Sequence, residues 1–188
     1  MWQAAGSPND VELGEGWETI GVEAFRDTAI KSIEIPASVT TIGSRAFYDT
    51  SILASVTFAS GSQLQSIGAA AFSLSGLTSI TIPAFVTSIG NQAFRSTSSL
   101  ASVSFAEISR LETIGTHIFS SSGLATFTAP LSALTVFGVV ASPSTQTVSG
   151  KSGVTVIDNT PPPTCFPAGT PIQTDQGETA IEQLVPGE

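Results

Sequence analysis

The dipeptide Ile-Gly stands at Ile20-Gly21, Ile42-Gly43, Ile67-Gly68, Ile89-Gly90 and Ile114-Gly115, so that a shorter and a longer interval alternate along the chain. Five positions after each Ile comes a phenylalanine, at Phe25, Phe47, Phe72, Phe94 and Phe119, and four of these five follow an alanine. A unit this short cannot bury its own Ile and Phe. Units must therefore stack and share one continuous core, with stability residing mostly in the interfaces between neighbours.

Each unit carries a second apolar set: Ile30-Ile33-Ile35, Leu53-Val56-Phe58, Leu77-Ile80-Ile82, Leu100-Val103-Phe105 and Leu124-Phe127-Ala129. Its last two members alternate as a half-buried strand does. β-branched and aromatic residues dominate it, as strands prefer. Pro36, Pro83 and Pro130 follow three of the strands, where they can end pairing. A further apolar residue precedes each Ile-Gly by three: Trp17, Val39, Leu64, Val86 and Leu111. The expected fold is a right-handed solenoid with a parallel β-sheet on one face and short irregular or 3-10 segments on the other.

The pattern fades at both ends, as terminal coils that face water require. Val11 and Leu13 precede Ile33 and Ile35 by the shorter of the two intervals, which starts a partial coil near residue 8. Leu134, Phe137 and Gly138 imitate the next Ile-Gly anchor without a following phenylalanine. Val154 and Val156 offer one last strand after the polar run SPSTQTVSGKSG. Ten of the eleven phenylalanines fall within residues 25–137, and filling the core is their expected role.

If Ile33 and Ile35 point inward, Ser32 and Glu34 point outward. The equivalent outward pairs are Ser55/Thr57, Ser79/Thr81, Ser102/Ser104 and Thr126/Thr128, a ladder of small hydroxyls. It carries no Trp, Tyr or Arg, the usual anchors of binding energy. Tyr48, Arg26, Arg45 and Arg95 belong instead to the phenylalanine-bearing side. So does His117, the one histidine, read as a half-exposed residue there.

Composition excludes several functions. Net charge is −9 and the six basic residues are scattered singly, so no basic track follows phosphates and nucleic acid is not an expected partner. Docking on an anionic membrane is disfavoured for the same reason. No apolar run reaches the ~18 residues that a bilayer-spanning helix needs, so no membrane insertion is expected. The start MWQAAGSPND lacks the basic and apolar regions of a secretory leader. One cysteine permits no internal disulfide, and neither a cofactor nor a metal is expected.

The formula in ITIPAFVTSIGNQAF resembles the BspA-like leucine-rich repeats of bacterial and protist surface proteins, over about residues 8–157. The resemblance implies a cell-surface or extracellular setting and a carbohydrate or protein ligand on the sheet face. Members commonly place a cysteine three positions after the phenylalanine; Thr28, Thr50, Ser75, Thr97 and Ser122 stand there in this chain. A small hydroxyl can satisfy turn backbone groups in the same slot. For the ladder at Ser32, Ser55, Thr57, Ser79, Thr81, Ser102, Ser104, Thr126 and Thr128, three readings stand. It is a soluble sheet surface, a ligand-binding face, or a regular row of hydroxyls at ~4.8 Å spacing that meets a lattice such as ice.

The sequence changes character at DNTPPPT, a stiff extended linker. Beyond it, CFPAGTPIQTDQGETAIEQLVPGE reads as a β-hairpin with a turn at Asp175-Gln176-Gly177 and a thiol nearby. This run resembles the first block of the Hint fold of inteins and hedgehog-type autoprocessing domains. Cys165, Phe166, Gly169, Thr170, Ile172, Thr174, Gly177, Ile181, Glu182, Leu184 and Gly187 match, and Glu188 stands where Asp is usual. The resemblance implies that Cys165 is the nucleophile of an N-to-S acyl shift at the Thr164–Cys165 bond. The histidine of the family's T-x-x-H, which activates that bond, does not occur within these residues. Such a segment is either the N-terminal piece of a longer autoprocessing precursor or one half of a naturally split intein, whose partner is a complementary C-terminal fragment. Read without the resemblance, Cys165 is a small buried residue and the chain a plain structural or adhesive protein. The expected organisation is a solenoid over 1–157, a linker over 158–164 and the Hint-like segment over 165–188.

Overall fold

The computed structural model describes residues 3–4, 10–14, 16–138, 145–160, 171–174 and 177–180. Three short strands come first: β1 (Gln3–Ala4), β2 (Asp10–Glu12) and β3 (Thr19–Ile20). Long and short strands then alternate as β4 (Ser32–Ile35), β5 (Thr41–Ile42), β6 (Ser55–Phe58), β7 (Ser66–Ile67) and β8 (Ser79–Ile82). The alternation continues through β9 (Ser88–Ile89), β10 (Ser102–Phe105), β11 (Thr113–Ile114) and β12 (Thr126–Ala129). A helix α1 (Leu131–Phe137) precedes β13 (Thr145–Val148), β14 (Lys151–Asp158), β15 (Pro171–Thr174) and β16 (Gly177–Ala180).

The two apolar sets of each unit build two sides of a solenoid. The Ile of each Ile-Gly ends a two-residue strand, and these strands stack in the order β3-β5-β7-β9-β11, all parallel, with each Ile opposite the next. The longer strands form the main sheet. Its first part is β2-β4-β6 and its second β8-β10-β12-β14, parallel throughout, with Val11 beside Ile33 and Phe127 beside Val156. Between β6 and β8 the ladder is interrupted although the strands stay in contact, and both the N–H and the hydroxyl of Thr78 reach the Ala54 carbonyl at 3.3 Å. An antiparallel strand covers each outer edge, β1 on β2 and β13 on β14. Exposed edges invite pairing with other chains, and these covers remove the invitation from the parallel strands.

The third side is a run of turns rather than 3-10 helix. Alternate residues bond locally and to the next coil: Ala46 donates to Gly43 O at 3.3 Å, whereas Phe47 donates to Ala71 O at 2.7 Å. Two residues per turn are left-handed without being glycine. Glu23, Arg45, Ala70, Gln92 and His117 occupy one position and Asp27, Asp49, Leu74, Ser96 and Ser121 the other, with φ from 54° to 60°. Such a conformation costs ~1–2 kcal/mol per residue. It persists because it aims alternate N–H groups at the next coil's carbonyls.

Inside the turns the phenylalanines form a spine. Phe25, Phe47, Phe72 and Phe94 stack with ring centroids 5.2, 5.1 and 5.3 Å apart and planes within 4°. The spine ends in a cluster of Phe105, Phe119, Phe127 and Phe137, where edge-to-face contacts join the stacking of Phe119 on Phe94 and Phe137. The C-terminal end departs from the repeat. Leu134, Phe137 and Gly138 lie on a helix and its left-handed cap, not on a further short strand. LSALTVFG buries Ala133, Leu134 and Phe137 on one helical face, with Pro130 at the N-cap and Gly138 at φ 67°. With no next phenylalanine, there is no turn to extend the spine, and the helix closes it. Ser149, in the β13–β14 turn, receives the Phe119 N–H at 3.2 Å as a further coil would.

Candidate functional site

The main sheet presents its hydroxyls as two columns. One runs Asp10, Ser32, Ser55 and resumes Ser79, Ser102, Thr126, Thr155; the other runs Glu34, Thr57 and resumes Thr81, Ser104, Thr128. Ser55, Thr57, Ser79 and Thr81 are exposed, and Ser32, Ser102, Ser104, Thr126 and Thr128 are half-buried, while the intervening Ile33, Val56, Ile80, Val103 and Phe127 are buried. The structure thus brings together all nine hydroxyl residues that the alternation singles out, on one face. Their spacing across strands is the ~4.8 Å of a sheet.

At the N-terminal end this face hollows into a groove of about 340 Å³ lined by Asp10, Ser32, Glu34, Ser55 and Thr57. Ser32 Oγ donates to Asp10 Oδ1 at 2.6 Å. Asp10 does not stand out in the sequence because its coil is partial, yet the offset that pairs Val11 with Ile33 also sets Asp10 beside Ser32. The face therefore ends in carboxylates and continues as hydroxyls. Such a surface donates and accepts hydrogen bonds along its length, and repels anions at one end.

The hydroxyl slot after each phenylalanine behaves differently from unit to unit. Thr28, Thr50 and Thr97 donate to the carbonyls of Phe25, Phe47 and Phe94 at 2.7, 2.8 and 2.7 Å. Ser75 instead leaves its buried hydroxyl without a partner among the described residues, and the Phe72 carbonyl receives the Ser75 N–H at 3.2 Å. Ser122 Oγ accepts from Leu124 N–H at 3.4 Å.

His117 is exposed on the turn side at a left-handed position, as is Arg45 in its own coil. Among the described residues, no group of three His, Cys, Asp or Glu side chains could hold a metal, and no helix is long and apolar enough to cross a membrane. Thr164 and Cys165 lie outside the described residues, as do linker residues 161–164. Downstream of them, β15 pairs with β16 as a hairpin, Pro171 opposite Ala180 and Thr174 opposite Gly177. Gly177 opens the second strand, and Asp175 and Gln176 of the expected turn lie outside the described residues.

Short parallel strands on two sides, joined through phenylalanine turns, define a leucine-rich-repeat solenoid. The family model "BspA type Leucine rich repeat region" matches residues 18–141 in six copies, and the chain belongs to that family. The matched stretch includes the segment that folds as α1. Among solved structures, the T. pallidum leucine-rich repeat protein is similar at 21% identity and TM-score 0.60, over 85% of this chain and 78% of that one. The pneumococcal vaccine antigen PcpA is similar at 24% identity and TM-score 0.50, over 66% of this chain and only 34% of that one. At these identities the likeness establishes the fold alone. No curated protein matches.

Proposed function

We propose that the repeats are a recognition module whose hydroxyl-lined sheet face binds a neutral carbohydrate at a cell surface. The observation that carries this reading is the pair of in-register hydroxyl columns, open to solvent and free of aromatic anchors. Protein partners generally seat on Trp, Tyr or Arg hot spots, which this face lacks. A polyhydroxyl ligand needs only matched donors and acceptors. Membership of a family resembling surface proteins supports the setting. The test is co-sedimentation with insoluble neutral polysaccharides, comparing the intact chain with Thr81→Lys. Retention by at least one polysaccharide, lost in the variant at unchanged melting temperature, is the expected result. Equal retention of both would move the ligand off this face.

We further propose that residues 165–188 are the first block of a Hint domain for which the repeats are the cargo. Support comes from the eleven matched positions and from a hairpin where the block needs one. The Cys165 thiolate would attack the Thr164 carbonyl carbon. A C–S bond forms, the Thr164–Cys165 amide C–N bond breaks, and the freed Cys165 amine takes up the proton. An amide is far more stable than a thioester, so the step needs the activating histidine of the remaining blocks. Hydroxylamine and dithiothreitol should therefore leave this chain intact by mass. Supplying the later blocks of a Hint domain should give cleavage after Thr164 that Cys165→Ala abolishes. Cleavage that survives Cys165→Ala would overturn the role of Cys165, and no cleavage at all would leave the chain a repeat protein with a chemically inert tail.

A further inference from the structure

Six basic residues are scattered singly along an acidic chain, yet Arg26, Arg45 and Arg95 line one groove of about 450 Å³ on the turn side, with Tyr48 among them. The repeat explains how they meet. Positions two before and one after each spine phenylalanine form adjoining rows, Glu23-Arg45-Ala70-Gln92 and Arg26-Tyr48-Ser73-Arg95. In the third coil both rows carry a small residue, Ala70 and Ser73, between Arg45 and Tyr48 on one flank and Gln92 and Arg95 on the other. The result is a notch with a floor of small side chains and a guanidinium on each flank.

The flanks are partly preorganised. Glu23 Oε1 holds Arg26 Nη1 at 3.0 Å and Arg45 Nη1 at 3.3 Å. Arg26 in turn lies over the Tyr48 ring, 5.4 Å from its centroid. Arg95 makes no ion pair among the described residues. An unpaired guanidinium that faces, across a floor of small side chains, a flank carrying an aromatic ring and a second guanidinium is a receptor for a planar or tetrahedral anion carried on a polar body.

We propose that this notch binds an oligosaccharide bearing an anionic group, carboxylate or sulfate. Arg95 and Arg45 take the anion and the Tyr48 ring packs against the adjoining sugar. An acidic peptide fits less well: beside the Tyr48 ring the aliphatic lining is Ala70 and Leu74, which gives its side chains no deep pocket. The turn backbone is also already committed between coils, so no free edge remains there to pair with a peptide. The chain's net charge of −9 opposes any long polyanion at a distance, so recognition is short-ranged. The site is separate from the sheet face and stands or falls independently of it.

Calorimetric titration of the full chain with tetragalacturonate, a heparin-derived tetrasaccharide, maltotetraose and tetraglutamate tests the proposal. At least one anionic tetrasaccharide should bind at least tenfold more tightly than maltotetraose, and the stronger of the two identifies the anion. Arg95→Gln should weaken that binding about tenfold, as expected for one charge-assisted pair. Arg95→Lys should weaken it less, and Lys31→Gln, which removes the same charge elsewhere, should change it less than twofold. The proposal is overturned if neither anionic sugar binds or if Arg95→Gln binds as well as the native chain. It also fails if Lys31→Gln is equally damaging, or if tetraglutamate binds as tightly as the sugars.

Discussion

A single atom decides why glycine follows the isoleucine. A Cβ on Gly90 would lie 2.5 Å from the Ala69 nitrogen and 2.7 Å from the Gly68 carbonyl carbon, so the coils meet backbone to backbone there. On Gly21 the same atom meets nothing within 4 Å among the described residues. Gly90→Ala should therefore cost ~1–3 kcal/mol as an overpacked contact, whereas Gly21→Ala should stay within ~1 kcal/mol of the native chain, on the stabilising side. Equal melting temperatures for the two would mean that the stack relaxes around the added methyl. The hydroxyl slot gives a second contrast. Thr97 Oγ1 serves the Phe94 carbonyl, while the Ser75 hydroxyl has no partner among the described residues. Thr97→Val should cost ~1–3 kcal/mol by orphaning a buried acceptor, and Ser75→Ala should be nearly neutral. Urea denaturation of both variants measures the difference.

At the scale of elements, β14, the last parallel strand of the main sheet, is tied to the helix through a short relay. Leu131 N–H donates to Thr160 Oγ1 at 2.7 Å, and Thr160 donates its own N–H and hydroxyl to Asp158 Oδ1. Those two bonds, the hydroxyl first, hold the Asp158 carboxyl below its usual range. A depressed carboxylate stabilises fully above its ordinary pKa and loses that contribution as pH falls through the lower folded value. Asp158→Asn should thus melt earlier than the native chain at pH 7, and the gap should close as pH falls through and below the ordinary carboxylate range. A gap that persists in acid would show that the tie does not depend on charge. Much of this scale was legible beforehand. Alternation placed the nine hydroxyls from Ser32 to Thr128 on the main face, though not Thr155, and the shorter of the two repeat intervals placed β2 against β4. The helix was not, because Leu134 and Phe137 satisfy the three-position spacing of a coil anchor as well as a helical face. The left-handed turns were equally hidden. Glu23, Arg45, Ala70, Gln92 and His117 share no side-chain chemistry, and their conformation is imposed by bonds to the neighbouring coil. The arginine groove needed the coils to be aligned before Arg26, Arg45 and Arg95, each from a different coil, could meet.

For the whole molecule, stability should depend on position along the stack. Phe72 is buried between two spine neighbours, whereas Phe25 is half-buried with one. Phe72→Ala should destabilise by ~3–5 kcal/mol as a core cavity, and Phe25→Ala by clearly less in the same thermal melts. Cutting after Thr160 should leave a cooperative β-rich solenoid, since every repeat anchor up to Val156 and the Asp158–Thr160 tie are retained. Loss of the β-type circular dichroism signal on that truncation would place the domain boundary further downstream. The alternation of a shorter and a longer coil has an evolutionary consequence. Ile67 and Ile114 stand two coils apart, and over that same distance TSILASVTFA is echoed by TSSLASVSFA. The heritable module is thus a pair of coils. A lineage can lengthen or shorten this protein by in-frame duplication or loss of that pair, and each step keeps the glycine contacts, the spine and the hydroxyl columns aligned.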